Sequence, residues 1–172
     1  MYRIFLLCLF SFSLAAQRAD TVSYRELFDL PYVAQPDSLQ KLNLLLPATT
    51  EKPPLLLWLG GGAWAFVNKN LEMTFARKLA REGIAVASVG HRLSTGVWVE
   101  PERTEGVQHP AHAEDAAAAF HWLKTHAAEY GYDPERIFIG GYSCGGHLAA
   151  LLGSDPRFLK KYGYRLTDIE GL

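Results

Sequence analysis

Apolar runs alternate with amphipathic stretches along most of this chain. Leu55-Leu56-Leu57-Trp58-Leu59 contains no polar residue, the pattern of a strand covered on both faces, and Gly60-Gly61-Gly62 stops it. Ile84 to Val89, apolar apart from Ser88, reads as a second buried strand, and Arg136 to Gly140 holds a third, Ile137-Phe138-Ile139. Lys41 to Leu46 alternates weakly and ends at Pro47, as an outer strand would. Between Asn70 and Arg81 the residues Leu71, Phe75, Ala76, Leu79 and Ala80 share one helical face, and Gly83 ends the helix. After Pro110, a second stripe of Ala116, Phe120, Leu123, Ala127 and Tyr130 runs to Gly131, and Cys144 to Gly153 reads as a third helix. Strand and helix alternate, which predicts an α/β protein with a parallel sheet. Gly90 to Gln108 is left as a long irregular connection carrying Trp98 and Pro101.

One junction in this pattern carries chemistry. Gly141-Tyr142-Ser143-Cys144-Gly145 fits Gly-x-Ser-x-Gly, with a buried strand leading in and a small-residue helix leading out. A serine on such a sharp turn tolerates no bulk nearby, hence glycine two residues to either side. The turn lifts the hydroxyl above the sheet and sets the free N–H groups of a helix start beside it, where negative charge would develop. Ser143 is therefore the candidate nucleophile, and the Cys144 N–H a candidate oxyanion donor. The triple glycine after the earlier strand suits a second source of donors, because glycine lets backbone N–H groups approach a ligand without side chains in the way. A nucleotide-binding reading of those glycines fails: there is no Gly-x-Gly-x-x-Gly and no Gly-Lys-Ser/Thr, and Trp64 and Phe66 fill the space a phosphate needs.

Composition narrows the picture further. The chain has 172 residues, of which 49% are apolar and 20% charged, the profile of one globular domain. Lys and Arg number 17 against 18 Asp and Glu, so no basic field exists to attract nucleic acid. Residues 1–16 read as a signal peptide: Arg3, an apolar run from Ile4 to Leu14, then Ala15-Ala16 for cleavage. That run falls short of the roughly 20 apolar residues that a membrane span needs. The expectation is a secreted or periplasmic protein with no membrane span after cleavage. Cys144 would then be its only cysteine, so no internal disulfide forms.

Five segments together resemble an α/β-hydrolase of the esterase/lipase branch related to hormone-sensitive lipase and to secreted carbohydrate esterases. Gly61-Gly62-Ala63-Trp64 matches its His-Gly-Gly-x-Trp segment, with Gly60 where the family has His. His91-Arg92-Leu93 resembles Tyr-Arg-Leu, and Pro110-Ala111-His112-Ala113-Glu114-Asp115 resembles Pro-Ala-x-x-x-Asp. Asp133-Pro134-Glu135-Arg136-Ile137 matches Asp-Pro-x-Arg-Ile, and Ser143-Cys144-Gly145-Gly146-His147-Leu148-Ala149 matches Ser-Ala-Gly-Gly-His-Leu-Ala with Cys for the first Ala. The resemblance implies a three-layer α/β-hydrolase sandwich with a mostly parallel sheet. It also implies a small-molecule or carbohydrate ester as substrate, no cofactor, Ser143 as nucleophile, and Gly62, Ala63 and Cys144 as oxyanion donors. Trp64, His91 and Trp98 are candidate rim residues.

A serine hydrolase also needs a base and an acid, which in this fold follow the serine in chain order. His91, His109 and His112 precede Ser143. His147 lies one helical turn beyond it, and His121 and His126 are five apart on a helix. A metal site at His109 and His112 lacks a third ligand. Asp115, near a helix start, reads as a dipole-compatible residue or a buried partner of a loop N–H. The acid and histidine are therefore expected outside this chain, and residues 17–172 are expected to form the N-terminal portion of one domain, incomplete at the C-terminus. Two rival readings stay open: a prolyl-oligopeptidase-like peptidase, and a non-catalytic fragment or binding protein on a hydrolase scaffold.

Overall fold

Five strands form one sheet in the computed structural model, which describes residues 22–172; the leader read at 1–16 lies outside them. The strands are β1 (Tyr24–Pro31), β2 (Lys41–Pro47), β3 (Leu55–Leu59), β4 (Ala85–Val89) and β5 (Ile137–Gly141), in the order β1-β2-β4-β3-β5. The helices are α1 (Met73–Arg81), α2 (Ala111–Tyr130), α3 (Cys144–Ser154) and the short α4 (Pro156–Lys160).

The sheet is mixed, where a mostly parallel one was expected. β4, β3 and β5 run parallel, but β2 is antiparallel to both β1 and β4. The apolar pattern does not reveal direction, and the weak alternation of β2 does not reveal that it is enclosed by neighbours on both sides. Lys41–Pro47 is consequently not an outer strand: Leu42 to Leu46 are all buried, and β1 takes the edge. β1 itself escaped the pattern reading because its burial is irregular, interrupted by a register shift between Leu27 and Leu30.

Side chains alternate across the sheet and sort the core into two layers. Leu42, Leu44, Leu55, Leu57, Leu59, Ala87, Val89, Ile137 and Ile139 point to the face covered by α2 and α3, where Phe120, Leu123, Leu148 and Leu152 close the core. Leu45 and Val86 point to the opposite face and meet Met73, Ala76 and Ala80 of α1. Each fully buried leucine contributes roughly 1.5–3 kcal/mol of burial. The expected stripe of α1 shifts accordingly. Leu71 lies before the helix and is exposed, and Phe75 stays partly exposed against Trp58, with ring centroids 4.5 Å apart.

The connections fix where a site can form. β3 passes through α1 on one face to β4, and β4 passes through α2 on the other face to β5, which lands on the far side of β3. The loops leaving β3 and β5 therefore turn to opposite faces and open a crevice at the carboxyl ends of those strands. Leu59 pairs with Gly141 in register, so residues 60–62 and 142–144 leave the sheet side by side.

Candidate active site

Ser143 stands between β5 and α3 with φ 54 and ψ −120, a left-handed backbone region that L-residues rarely adopt. The surrounding glycines follow from space. A Cβ on Gly145 would lie 2.0 Å from the Leu59 carbonyl oxygen, and one on Gly141 would lie 2.4 Å from the Gly145 carbonyl carbon. The turn thus presses α3 directly onto the end of β3. It leaves the Ser143 side chain exposed, and the Ser143 hydroxyl has no hydrogen-bond partner among the described residues.

The glycine loop faces this serine. A Cβ on Gly61 would come within 3.3 Å of the Ser143 Cβ. Gly62, Ala63 and Trp64 all have positive φ, at 145°, 47° and 59°. Within the loop, the N–H groups of Ala65 and Phe66 both donate to the Gly62 carbonyl, at 2.9 and 3.0 Å. The Trp64 N–H donates to the Cys144 thiol sulfur at 3.4 Å. The N–H groups of Gly62, Ala63 and Cys144 have no acceptor among the described residues. These three N–H groups, on two adjoining segments, are those that the sequence offers as candidate oxyanion donors.

The connection from Gly90 to Gln108 braces the glycine loop from outside. Ser94 N–H donates to the Trp64 carbonyl at 2.9 Å, and the Arg103 guanidinium donates to the Ala65 carbonyl. The connection closes on itself through Val107 N–H to the Leu93 carbonyl and Gly96 N–H to the Arg103 carbonyl. Its root is held by Asp115, which is 2% exposed and accepts from the Arg92 N–H and guanidinium and from the Gln40 amide. Of the two readings of Asp115, the buried partner of a loop N–H is the one observed. No sequence signal pointed to Ser94 or Arg103, whose contacts depend on how the loop folds back.

The histidines take separate places. The Ser94 hydroxyl donates to the Val107 carbonyl at 3.0 Å, so the His112 Nε2 at 3.1 Å is the donor to Ser94. Burial, aided by nearby His91, pushes His112 down to about 4. His147 is exposed and meets Trp64 edge to face at 5.6 Å. Trp64, Ser94, Gln108, His109, His112 and His147 line a cavity of about 500 Å³ beside the elbow. His91 does not belong to the rim. It is 1% exposed, its Nδ1 lies 2.7 Å from the Arg92 carbonyl, and its ring packs edge to face on His112 under the connection. Trp98 is well exposed and meets Phe66 edge to face at 5.4 Å, over the outer side of the glycine loop. Trp64 is half-buried between the loop and α3.

A strand-to-helix serine beside a glycine loop, at the reversal point of an open sheet, is the arrangement of the α/β-hydrolase esterases. The chain belongs to the BD-FAE family, whose model matches residues 42–162. It is 38% identical over 113 residues to the probable carboxylic ester hydrolase LipM of Mycobacterium tuberculosis, a match covering 63% of this chain and 24% of that protein. It is 33% identical over 117 residues to gut esterase 1 of Caenorhabditis elegans, covering 67% of this chain and 21% of that protein. Among solved structures it resembles a truncated form of a carbohydrate esterase from gut microbiota, with a TM-score of 0.65 and 28% identity over 81% of this chain and 46% of that one. The family resemblance is to carboxylic-ester hydrolases. The chain spans about a quarter of the length of the curated relatives it matches.

Proposed function

We propose that the whole protein is an exported serine hydrolase that cleaves carboxylic esters through an acyl-enzyme on Ser143. The observation that supports this reading is the pairing of Leu59 with Gly141, from which the glycine loop and the Ser143 turn leave adjacent strand ends. In this reading the Ser143 hydroxyl attacks the ester carbonyl carbon and its proton passes to a general base outside the described residues. The carbonyl oxygen turns negative and is held by the N–H groups of Gly62, Ala63 and Cys144. The bond to the alcohol then breaks, the alcohol leaves with the proton, and water releases the acid from Ser143 in a second round. Each oxyanion donor of this kind is worth roughly 10²–10³ in rate. No cofactor is needed for this chemistry.

The substrate is proposed to be a small-molecule or carbohydrate ester. Trp64, beside the cavity next to the elbow, and Trp98, over Phe66, offer flat apolar surface for an acyl group or a sugar ring. No helix among the described residues is long and apolar enough to cross a membrane. The reading is tested by assaying the whole protein on p-nitrophenyl acetate and on an aminoacyl anilide, with Ser143→Ala as control. Ester cleavage abolished by Ser143→Ala, with the anilide untouched, is expected. Anilide cleavage would favour a peptidase, and no cleavage of either would favour a non-catalytic scaffold.

A further inference from the structure

We propose that Cys144 is a positioning residue for the reaction, tying the glycine loop to the serine turn from beneath. Its consequence for rate rests on the ester-hydrolase reading above. The Cys144 side chain is 4% exposed and its sulfur reaches two points on the facing loop. It accepts the Trp64 N–H at 3.4 Å, and its thiol donates to the Gly60 carbonyl at 3.8 Å. The same residue therefore presents one oxyanion donor through its backbone and anchors the loop that carries the other two through its side chain.

That loop needs anchoring. Ala63 and Trp64 both hold left-handed backbone conformations, which cost energy and persist only where the surroundings fix them. Three ties act on Trp64 and Ala65: Ser94 on the Trp64 carbonyl, Arg103 on the Ala65 carbonyl, and Cys144 on the Trp64 N–H. The first two come from the 90–108 connection. Only the third comes from the turn that carries Ser143, and with the thiol's bond to the Gly60 carbonyl it couples the loop to that turn through the Cys144 side chain.

The substitution pattern has the same geometry. Gly60 and Cys144 are two of the positions where this chain departs from the segments it resembles, and they touch each other across the site. A Cβ on Gly60 would lie 3.0 Å from a carboxylate oxygen of Glu72, whose other oxygen accepts the Trp58 indole N–H at 2.9 Å. A histidine at position 60 would have to displace that carboxylate. On the opposite segment the Cys144 side chain meets Gly60 at its carbonyl rather than in that space.

The test uses the whole protein with Cys144→Ala and Cys144→Ser, reading kcat and KM on p-nitrophenyl acetate and the hydrogen exchange of the Trp64 amide. Cys144→Ala is expected to lower kcat roughly 10- to 100-fold with KM changed less than about twofold, as a displaced donor set does. Trp64 exchange should quicken about tenfold or more, and Cys144→Ser, which keeps a donor and acceptor, should restore much of both. Wild-type kcat and wild-type Trp64 exchange in Cys144→Ala would overturn the proposal. So would equal losses in both variants, the mark of packing alone. Should the wild-type protein cleave no ester, the ester-hydrolase reading fails, and Trp64 exchange by itself decides the tie: quickened in Cys144→Ala supports it, unchanged refutes it.

Discussion

Asp115 accepts three groups of Arg92 at once: the backbone N–H at 2.9 Å, Nε at 3.0 Å and Nη2 at 2.7 Å. The carboxylate is 2% exposed and belongs to α2, whereas Arg92 begins the connection that braces the glycine loop. One buried acid thus ties the helix layer to the loop that supports the candidate oxyanion donors. Replacing it with alanine strands the Arg92 N–H and the Gln40 amide and leaves the guanidinium without its partner. Because the Arg92 side chain keeps 31% exposure, the expected loss is roughly 2–4 kcal/mol, below that of a fully enclosed pair. Urea unfolding of Asp115→Ala checks this, and Asp115→Asn should lose less because one acceptor oxygen remains.

Acid should loosen the same region through His112. The ring is held neutral down to about 4 against an ordinary 6.5, mainly by burial and further by His91; Arg92 and His109 act in the same direction, and Asp115 opposes them. Burial also lowers His91. Between those two pH values the unfolded chain binds protons that the folded chain refuses, so stability falls as pH drops from 6.5 toward 4 and levels off below. His112→Gln keeps a donor for Ser94 without a titrating ring. Unfolding midpoints at pH 7.5 and 4.5 should differ less in that variant than in the wild type.

Two neighbouring glycines should behave differently. Gly145→Ala puts a methyl 2.0 Å from the Leu59 carbonyl oxygen, on backbone that cannot retreat, and should cost at least about 3 kcal/mol or prevent folding. Gly146→Ala meets the Gly141 carbonyl, its oxygen at 3.2 Å and its carbon at 3.6 Å, and a gain in helix propensity of up to about 1 kcal/mol offsets that milder squeeze. Thermal midpoints of the pair separate a steric demand from a general preference for glycine.

Ser143 trades stability for its exposed position. At φ 54 and ψ −120 glycine is unstrained, so Ser143→Gly should raise stability by about 1–2 kcal/mol while removing the nucleophile. A variant that is both less stable and inactive would mean that the turn carries no such strain.

Much of this arrangement was legible in the residues. The runs at 55–59, 84–89 and 136–140 gave three strands because apolar residues dominate each. β3 and β4 lie inside the sheet, whereas β5 stands at the end of the described order and leaves Phe138 exposed, so full cover of that run is not observed. Gly131, with φ 85, ends α2 as its place after the apolar stripe implied. The serine turn was legible for a steric reason: at Gly141 and Gly145 a single added carbon collides with backbone. Strand direction was not, since the pattern of apolar residues in Leu42 to Leu46, interrupted only by the buried Asn43, carries no sign of whether the strand runs parallel or antiparallel. Nor was the burial of His91, because an irregular connection has no period and its interior is set by distant partners such as Arg92 with Asp115. The thiol contact of Cys144 with Trp64, 80 residues apart, likewise appears only once two loops meet.

The central claim concerns one hydroxyl, and covalent capture tests it most directly. The whole protein is treated with a fluorophosphonate, digested, and the adduct located by tandem mass spectrometry. The account predicts a single phosphonyl group on Ser143, absent in Ser143→Ala. An adduct on another residue, or ester cleavage that survives Ser143→Ala, would contradict it.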